Sequence, residues 1–125
     1  MKFRHLDNLA RLMTEFTVDV MKASDRENPD PQVSQLFQQL VRVTLAAGSS
    51  YRWGRRATRR REFMNRLLVS QAEFAEVITW LEMVVAQRPD KVWADALATA
   101  KHINQILVAS LAKARQPREK DSRDE

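Results

Sequence analysis

Apolar residues recur every three or four positions along four long segments of this sequence, and short polar stretches separate the segments. This spacing places the apolar side chains along one face of an α-helix. Because the chain has only two glycines and four prolines, it has little material for tight turns. It therefore predicts an all-α fold, an antiparallel up-down-up-down four-helix bundle. The four stripes are Leu6, Leu9, Met13, Phe16, Val20 and Ala23; Val33, Phe37, Leu40, Thr44, Ala47 and Tyr51; Phe63, Leu67, Ser70, Phe74, Val77, Leu81 and Val84; and Trp93, Leu97, Ala100, Ile103, Leu107, Leu111 and Ala114.

Capping residues and prolines mark where these helices begin and end. Asp30 is a good N-cap for the second helix, and Pro31 follows at the first helical position, where its missing N–H costs nothing. Thr58 is the predicted cap of the third helix. Arg88-Pro89-Asp90 is expected to end the third helix and to open the fourth.

Length and composition favour one domain with a short tail. Residues 1–115 are expected to form the bundle domain, whereas residues 116–125 are charged, lack apolar partners and are expected to form a disordered charged tail. The chain has no cysteine, which fits a reducing compartment. Its first residues lack the apolar stretch of a signal peptide, and no window approaches a membrane span. We therefore expect a cytoplasmic protein without a membrane partner.

The positive charge of the chain is concentrated between the second and third helical segments. Six arginines lie within the eleven residues from Tyr51 to Arg61, and subtracting their charges from the net charge of +5 leaves −1. Guanidinium groups bind phosphates well, and aromatic side chains among them can stack on bases. We call these residues the arginine cluster: Arg52, Arg55, Arg56, Arg59, Arg60 and Arg61. The candidate nucleic-acid-binding residues are the arginine cluster and Trp53.

An alternative interpretation is that the arginine cluster pairs with acidic surfaces of the same or a neighbouring subunit. The first connection supplies one such surface, with Asp25, Glu27 and Asp30. The positions of the last three arginines favour the phosphate interpretation. They are predicted to lie in the first turn of a helix, where each positive charge opposes the helix dipole by roughly a few tenths of a kcal/mol. A sequence that accepts this cost is expected to have an anion nearby.

The two aromatic residues of this region have different expected roles. Tyr51 is in register with the stripe of the second helix, so we expect it in the core. Trp53 is off that register and lies between arginines. It is expected to be either a stacking platform for a base or an anchor in a subunit interface, where Trp and Arg are enriched.

The sequence contains no recognisable catalytic, metal or cofactor site. A di-iron bundle needs Glu-x-x-His pairs, and neither His5 nor His102 has a glutamate three residues before it. Glu73 and Glu76 lie one turn apart beside the apolar face and are expected to be solvated or paired with the arginine cluster. Without a cysteine, a Gly-rich loop or a nucleophile with a base nearby, we expect no enzymatic activity and no cofactor.

A set of small, basic, acidic and aromatic positions runs from the second helix into the third: Arg42, Gly48-Ser49-Ser50-Tyr51-Arg52, Glu62-Phe63, Glu73, Glu76 and Trp80-Leu81. In these positions, residues 42–85 resemble the four-helix bundle family first noticed as products of ribosomal-RNA intervening sequences. Two positions depart from the pattern of that family. Ser50 stands where the family usually has Asn, and Trp53 stands where it often has Glu.

The resemblance implies an assembly and a class of partner. It implies a ring-like homo-oligomer, a homopentamer. It also implies kinship with the accessory variability proteins of diversity-generating retroelements, which are basic and associate with nucleic acid and a reverse transcriptase.

Two helices are more broadly apolar than one buried side requires. The extra residues are Leu36, Val41 and Leu45 on the second helix and Leu68, Ile78 and Val85 on the third. Such faces are typical of association surfaces, although a wide core in a small bundle would need them as well. The small residues from 46 to 50 would similarly permit close packing within the subunit or against a neighbour.

These patterns lead to one functional hypothesis and one alternative. The hypothesis is a non-enzymatic, homo-oligomeric accessory protein that binds the RNA or DNA backbone through the arginine cluster. The alternative is a self-assembling scaffold or protein-interaction module whose arginines serve subunit contacts.

Overall fold

Four helices packed together make up the computed structural model, which describes residues 4–116. α1 spans Arg4–Arg26, α2 Pro31–Arg55, α3 Arg60–Gln87 and α4 Lys91–Ala114. The described residues contain no strand, so the all-helical prediction is confirmed. The expected disordered tail lies outside the described residues, except for its first residue. None of the helices in the described range is long and apolar enough to cross a membrane.

Side-chain caps fix the starts of α2 and α4. In each helix the N–H of the third residue donates a hydrogen bond to the side chain of an aspartate just before the helix. In α2, the N–H of Val33 donates to Oδ1 of Asp30 at 2.9 Å. In α4, the N–H of Trp93 donates to Oδ1 of Asp90 at 3.2 Å. Pro31 occupies the first helical position of α2. The predicted cap of α2 is confirmed, and α4 begins directly after Arg88-Pro89-Asp90, as expected.

The predicted cap of α3 is wrong. Its N-cap is Arg59 rather than Thr58, and Arg59 makes no side-chain capping hydrogen bond. The first hydrogen bond of the helix runs from the N–H of Phe63 to the carbonyl of Arg59 (3.0 Å). Thr58 therefore lies one residue too early to cap. The delay comes from α2, because the N–H of Ala57 still bonds to the carbonyl of Gly54.

The predicted stripes form the core. Each helix packs against two others: α2 lies against α1 and α3, and α4 lies against α3 and α1. All stripe residues with described side chains are buried except Val33 and Leu97, which are half-buried. Two polar stripe residues are satisfied, since Thr44 bonds to the Leu40 carbonyl and Ser70 reaches from α3 to the Ala47 carbonyl of α2.

The six extra apolar residues of α2 and α3 were expected to serve either an association surface or a wide core, and the structure divides them between the two. Leu36, Val41, Ile78 and Val85 are half-buried against the core, as a wide core would require. Leu45 and Leu68 are instead 49% and 37% exposed. Of these six residues, Leu45 and Leu68 are therefore the two that are exposed enough to contact another subunit.

Candidate nucleic-acid interface

The arginine cluster gathers at the junction of α2 and α3. Arg52 and Arg55 lie in the last turn of α2, and Arg56 is its C-cap. Arg60 and Arg61 open α3, and Arg59 precedes them as the N-cap. Five of the six side chains are exposed, whereas Arg60 is half-buried.

Arg60 binds the end of α4. Its Nε atom donates to the carbonyl of Ala114 at 3.0 Å, and its Nη2 atom donates to that carbonyl and to the carbonyl of Gln116 at 2.6 Å. The last carbonyls of a helix have no intrahelical partner and form the negative end of its dipole. The arginine at the start of α3 therefore has a partner with partial negative charge within the chain, which offsets part of the unfavourable charge at that helix start.

Arg52 contacts a different helix. Its Nη2 atom donates a hydrogen bond to Oγ1 of Thr14 on α1. This contact holds the guanidinium group beside the gap between α1 and α2. It also means that the arginine cluster reaches two helices beyond the junction of α2 and α3, through Arg52 to α1 and through Arg60 to α4.

Two arginines of the cluster are better placed for an external anion. Arg56 and Arg61 are exposed, and within the described part of the chain neither side chain has a hydrogen-bond or ion-pair partner. Arg61 lines a cleft of about 450 Å³ together with Arg59 and Arg66. One carboxylate, that of Glu62, also lines this cleft.

The start of α3 adds to the positive potential of this cleft. The N-cap residue Arg59 makes no side-chain capping hydrogen bond to α3. The N-terminus of a helix carries roughly half a positive charge and attracts phosphate. The positive charges of Arg59, Arg61 and Arg66 and the positive end of the α3 dipole therefore all raise the electrostatic potential of this cleft.

Trp53 lies on the surface beside this cleft and is held there by a cation. Its side chain is 53% exposed, and the guanidinium carbon of Arg66 on α3 lies 5.0 Å from the centroid of its ring. Gly54 explains why the two helices come this close. A Cβ atom at residue 54 would lie 2.9 Å from the Cβ atom of Arg66, so any other residue would push α3 away.

Tyr51 belongs to the core, as predicted. It is 1% exposed, and burial raises the pKa of its phenol above the ordinary range. The side chain is therefore uncharged at neutral pH and part of the core.

The acidic residues expected near the arginine cluster have other partners. Glu73 accepts a hydrogen bond from Oγ of Ser50 at 2.6 Å and thereby joins α3 to α2. Glu76 accepts a hydrogen bond from the indole N–H of Trp80 at 3.3 Å. Of the two expectations for these glutamates, solvation fits Glu76, which is exposed, whereas Glu73 is half-buried and bonds to Ser50 rather than to the arginine cluster. Ser50 makes this contact although the resembling family usually has Asn there.

Glu27 is also occupied far from the arginine cluster. Its carboxylate accepts hydrogen bonds from Nε of Arg88 at 3.0 Å and from the indole N–H of Trp93 at 2.8 Å. It follows α1, whereas the cluster follows α2, a helix of 25 residues and therefore about 37 Å long. The first connection does not neutralise the arginine cluster within one subunit.

Sequence reasoning missed three residues of this site: Thr14, Gly54 and Arg66. Gly54 carried a signal, since it is one of only two glycines and stands inside a helical pattern. The other two carried none, because their roles depend on packing between helices. Within the described residues, no three potential metal-binding side chains come together.

The fold resembles a known structure. No protein-family model matches the sequence, and no curated protein is similar to it. Among solved structures, the fold is similar to that of a protein of unknown function from the S23 ribosomal protein family of Bacteroides thetaiotaomicron. The two chains superpose with a TM-score of 0.71 over 82% of this chain and 97% of the other, at 18% sequence identity. At this identity the likeness establishes the shared four-helix fold.

Proposed function

We propose that this chain is a non-enzymatic accessory protein that binds the nucleic-acid backbone through the arginine cluster. The observation that carries the proposal is the arrangement of Arg59, Arg61 and Arg66 around the cleft at the uncapped start of α3. A backbone phosphate needs several donors and positive charge at one place, and this junction offers both. Binding of this kind is independent of sequence and weakens steeply with salt.

The bundle that presents this junction is an antiparallel up-down-up-down arrangement. Its support comes from contacts between α3 and α4. Nε of Arg60 donates to the carbonyl of Ala114, and Nε2 of Gln71 lies 3.4 Å from Oδ1 of Asn104. Residues later in α3 therefore lie beside residues earlier in α4, so the two helices run in opposite directions. This order places the start of α3 beside the end of α4, where Arg115 adds another positive charge.

The assembly we propose is a ring-like homo-oligomer, a homopentamer if the chain follows the intervening-sequence family that it resembles. Exposed apolar residues on α1 and α2 support self-association, namely Val18, Met21 and Leu45. In a ring, the arginine clusters of all subunits would repeat around one rim. Several weak phosphate sites would then act together and gain affinity through avidity.

A second candidate is a scaffold in which the arginines contact neighbouring subunits. The position of Trp53 favours it, since this exposed aromatic lines the same groove as Arg52, Arg56 and the exposed Leu45. Aromatic and arginine side chains are enriched at the energetic centres of protein interfaces.

A matched pair of double variants separates the two candidates. Arg56→Gln/Arg61→Gln removes two charges from the cluster, and Lys22→Gln/Lys101→Gln removes two exposed charges elsewhere. Fluorescence anisotropy with a labelled RNA or DNA of about 20 nucleotides measures binding, and light scattering measures the size of each assembly. The proposal expects weaker binding for the arginine variant alone, with no change in size. A smaller assembly with unchanged binding would favour the scaffold and contradict the proposal.

A further inference from the structure

A groove runs between α1 and α2 and ends at the arginine cluster. Its volume is about 680 Å³. Near the cluster it is lined by Thr14, Ser49, Arg52, Trp53 and Arg56. Farther along, its lining becomes apolar. No residue in the lining, all of which belongs to the described part of the chain, carries a carboxylate.

Gly48 keeps the middle of this groove empty. A Cβ atom built on Gly48 would meet no atom within 4 Å. The neighbouring helix therefore does not fill this space, although close approach to a neighbour is a common reason for a glycine within a helix. The two glycines of α2 thus differ: one lets α3 approach, and the other leaves a gap beside α1.

Trp53 stands between the groove and α3. The Arg66 guanidinium approaches its ring from α3, whereas the groove lies on the α1 side of the same residue. The cation contacts the ring on one side and leaves more than half of the side chain exposed. An exposed aromatic surface beside two guanidinium groups is suited to stacking.

We propose that this end of the groove binds an unpaired nucleobase stacked on Trp53, while Arg52 and Arg56 hold the flanking phosphates. This inference rests on the proposed function and narrows it to single-stranded RNA or DNA. In a duplex, both faces of each base are covered by its neighbours, whereas a single strand can present a free face. The hydroxyl group of Ser49, which also lines the groove, provides a neutral hydrogen-bond partner for the edge of the base.

Two probes of equal length test the inference directly. One is a labelled thymidine oligonucleotide, and the other has the same phosphodiester backbone without bases. Binding through the backbone alone would give the two probes equal affinity. Stacking on Trp53 would instead raise the affinity for the thymidine probe by about tenfold or more. For the natural chain we expect this preference, together with quenching of tryptophan fluorescence by the thymidine probe.

Matched variants locate the stacking site. Trp53→Leu should abolish the preference for the base-containing probe, whereas Trp53→Phe should retain most of it and eliminate the Trp53 quenching signal. Gly48→Leu places a larger side chain in the groove, where its Cβ atom meets nothing within 4 Å, and should also reduce the preference, whereas Gly48→Ala should leave it intact. Both substitutions replace glycine with a better helix former, so folding is preserved.

Each alternative outcome has its own meaning. Equal affinity for both probes, or a preference that survives Trp53→Leu, would refute stacking and leave backbone binding intact. Failure of both probes to bind at low salt would refute the proposed function and this inference together. If Gly48→Leu reduces the size of the assembly in light scattering and leaves the preference unchanged, a second copy of the chain occupies the groove and the inference is wrong.

Discussion

The two glycines of α2 should respond in opposite ways to the same substitution. Both lie in helical backbone without positive φ, so alanine fits either position conformationally. The surroundings differ. A Cβ atom at Gly48 points into open space, whereas a Cβ atom at Gly54 would lie 2.9 Å from the Cβ atom of Arg66. Because that atom is fixed directly to the backbone of α3, it cannot move aside as the end of a flexible side chain would.

The size of the effect follows from two opposing contributions. Replacing a helical glycine with alanine stabilises a protein by about 0.5–1 kcal/mol. Overpacking a tight contact costs about 1–3 kcal/mol. Gly48→Ala should therefore raise the free energy of unfolding by about 0.5–1 kcal/mol, whereas Gly54→Ala should lower it by up to about 2 kcal/mol. In a domain of this size, 1 kcal/mol corresponds to a change in Tm of about 4 °C.

Urea denaturation of both variants and the natural chain, followed by circular dichroism, measures these changes. All three proteins must be compared at one concentration, since self-association shifts apparent stability. Gly54→Ala should also weaken the contact between Arg66 and Trp53 and change the emission of that exposed indole. Equal stabilisation by both substitutions would refute the close contact between α2 and α3 at Gly54.

Three further predictions concern the ends of the bundle and its core. Arg60→Met should lower the free energy of unfolding by about 1–3 kcal/mol, because the final carbonyls of α4 lose a charged donor; unchanged hydrogen exchange in the last turn of α4 would contradict this role. Glu27→Ala should cost about 1–3 kcal/mol in chemical denaturation, because the buried indole N–H of Trp93 loses its acceptor. Glu27→Gln should recover part of that loss, and equal losses in the two variants would contradict the explanation. Because burial raises the pKa of Tyr51, the folded state retains a proton that the unfolded state releases. Stability should be intact below about pH 10 and fall as the pH rises beyond it. Tyr51→Phe should reduce this fall in a pH series of denaturation curves, and an unchanged slope would contradict it.

The helices were predictable because the features that determine them lie within short stretches of sequence. Spacing of apolar residues identified the four stripes, and Asp30 and Asp90 identified two starts. The start of α3 was not predictable in the same way. Thr58 is a good capping residue by type, but α2 continues its hydrogen bonding as far as Ala57. Competition between the end of one helix and the cap of the next decided the boundary.

The candidate site was predictable in composition but not in its contacts. The sequence places six arginines together, whereas Arg60 finds its partner 54 residues away on α4. The separation between Trp53 and Arg66 is shorter, but their contact depends on how closely α2 and α3 pack at Gly54. Such contacts follow from the relative positions of helices, which periodicity alone does not specify.

The salt dependence of nucleic-acid binding tests the central claim most directly. Dissociation constants for a single-stranded probe would be measured from about 50 to 200 mM salt, with the natural chain, Arg56→Gln/Arg61→Gln and Lys22→Gln/Lys101→Gln. The account predicts a steep fall of affinity with salt for the natural chain and the lysine variant. For the arginine variant, the logarithmic slope should decrease by roughly 1.4 for each subunit that contacts the strand, as loss of two phosphate contacts requires. An identical slope in all three proteins, or no binding at the lowest salt, would contradict it.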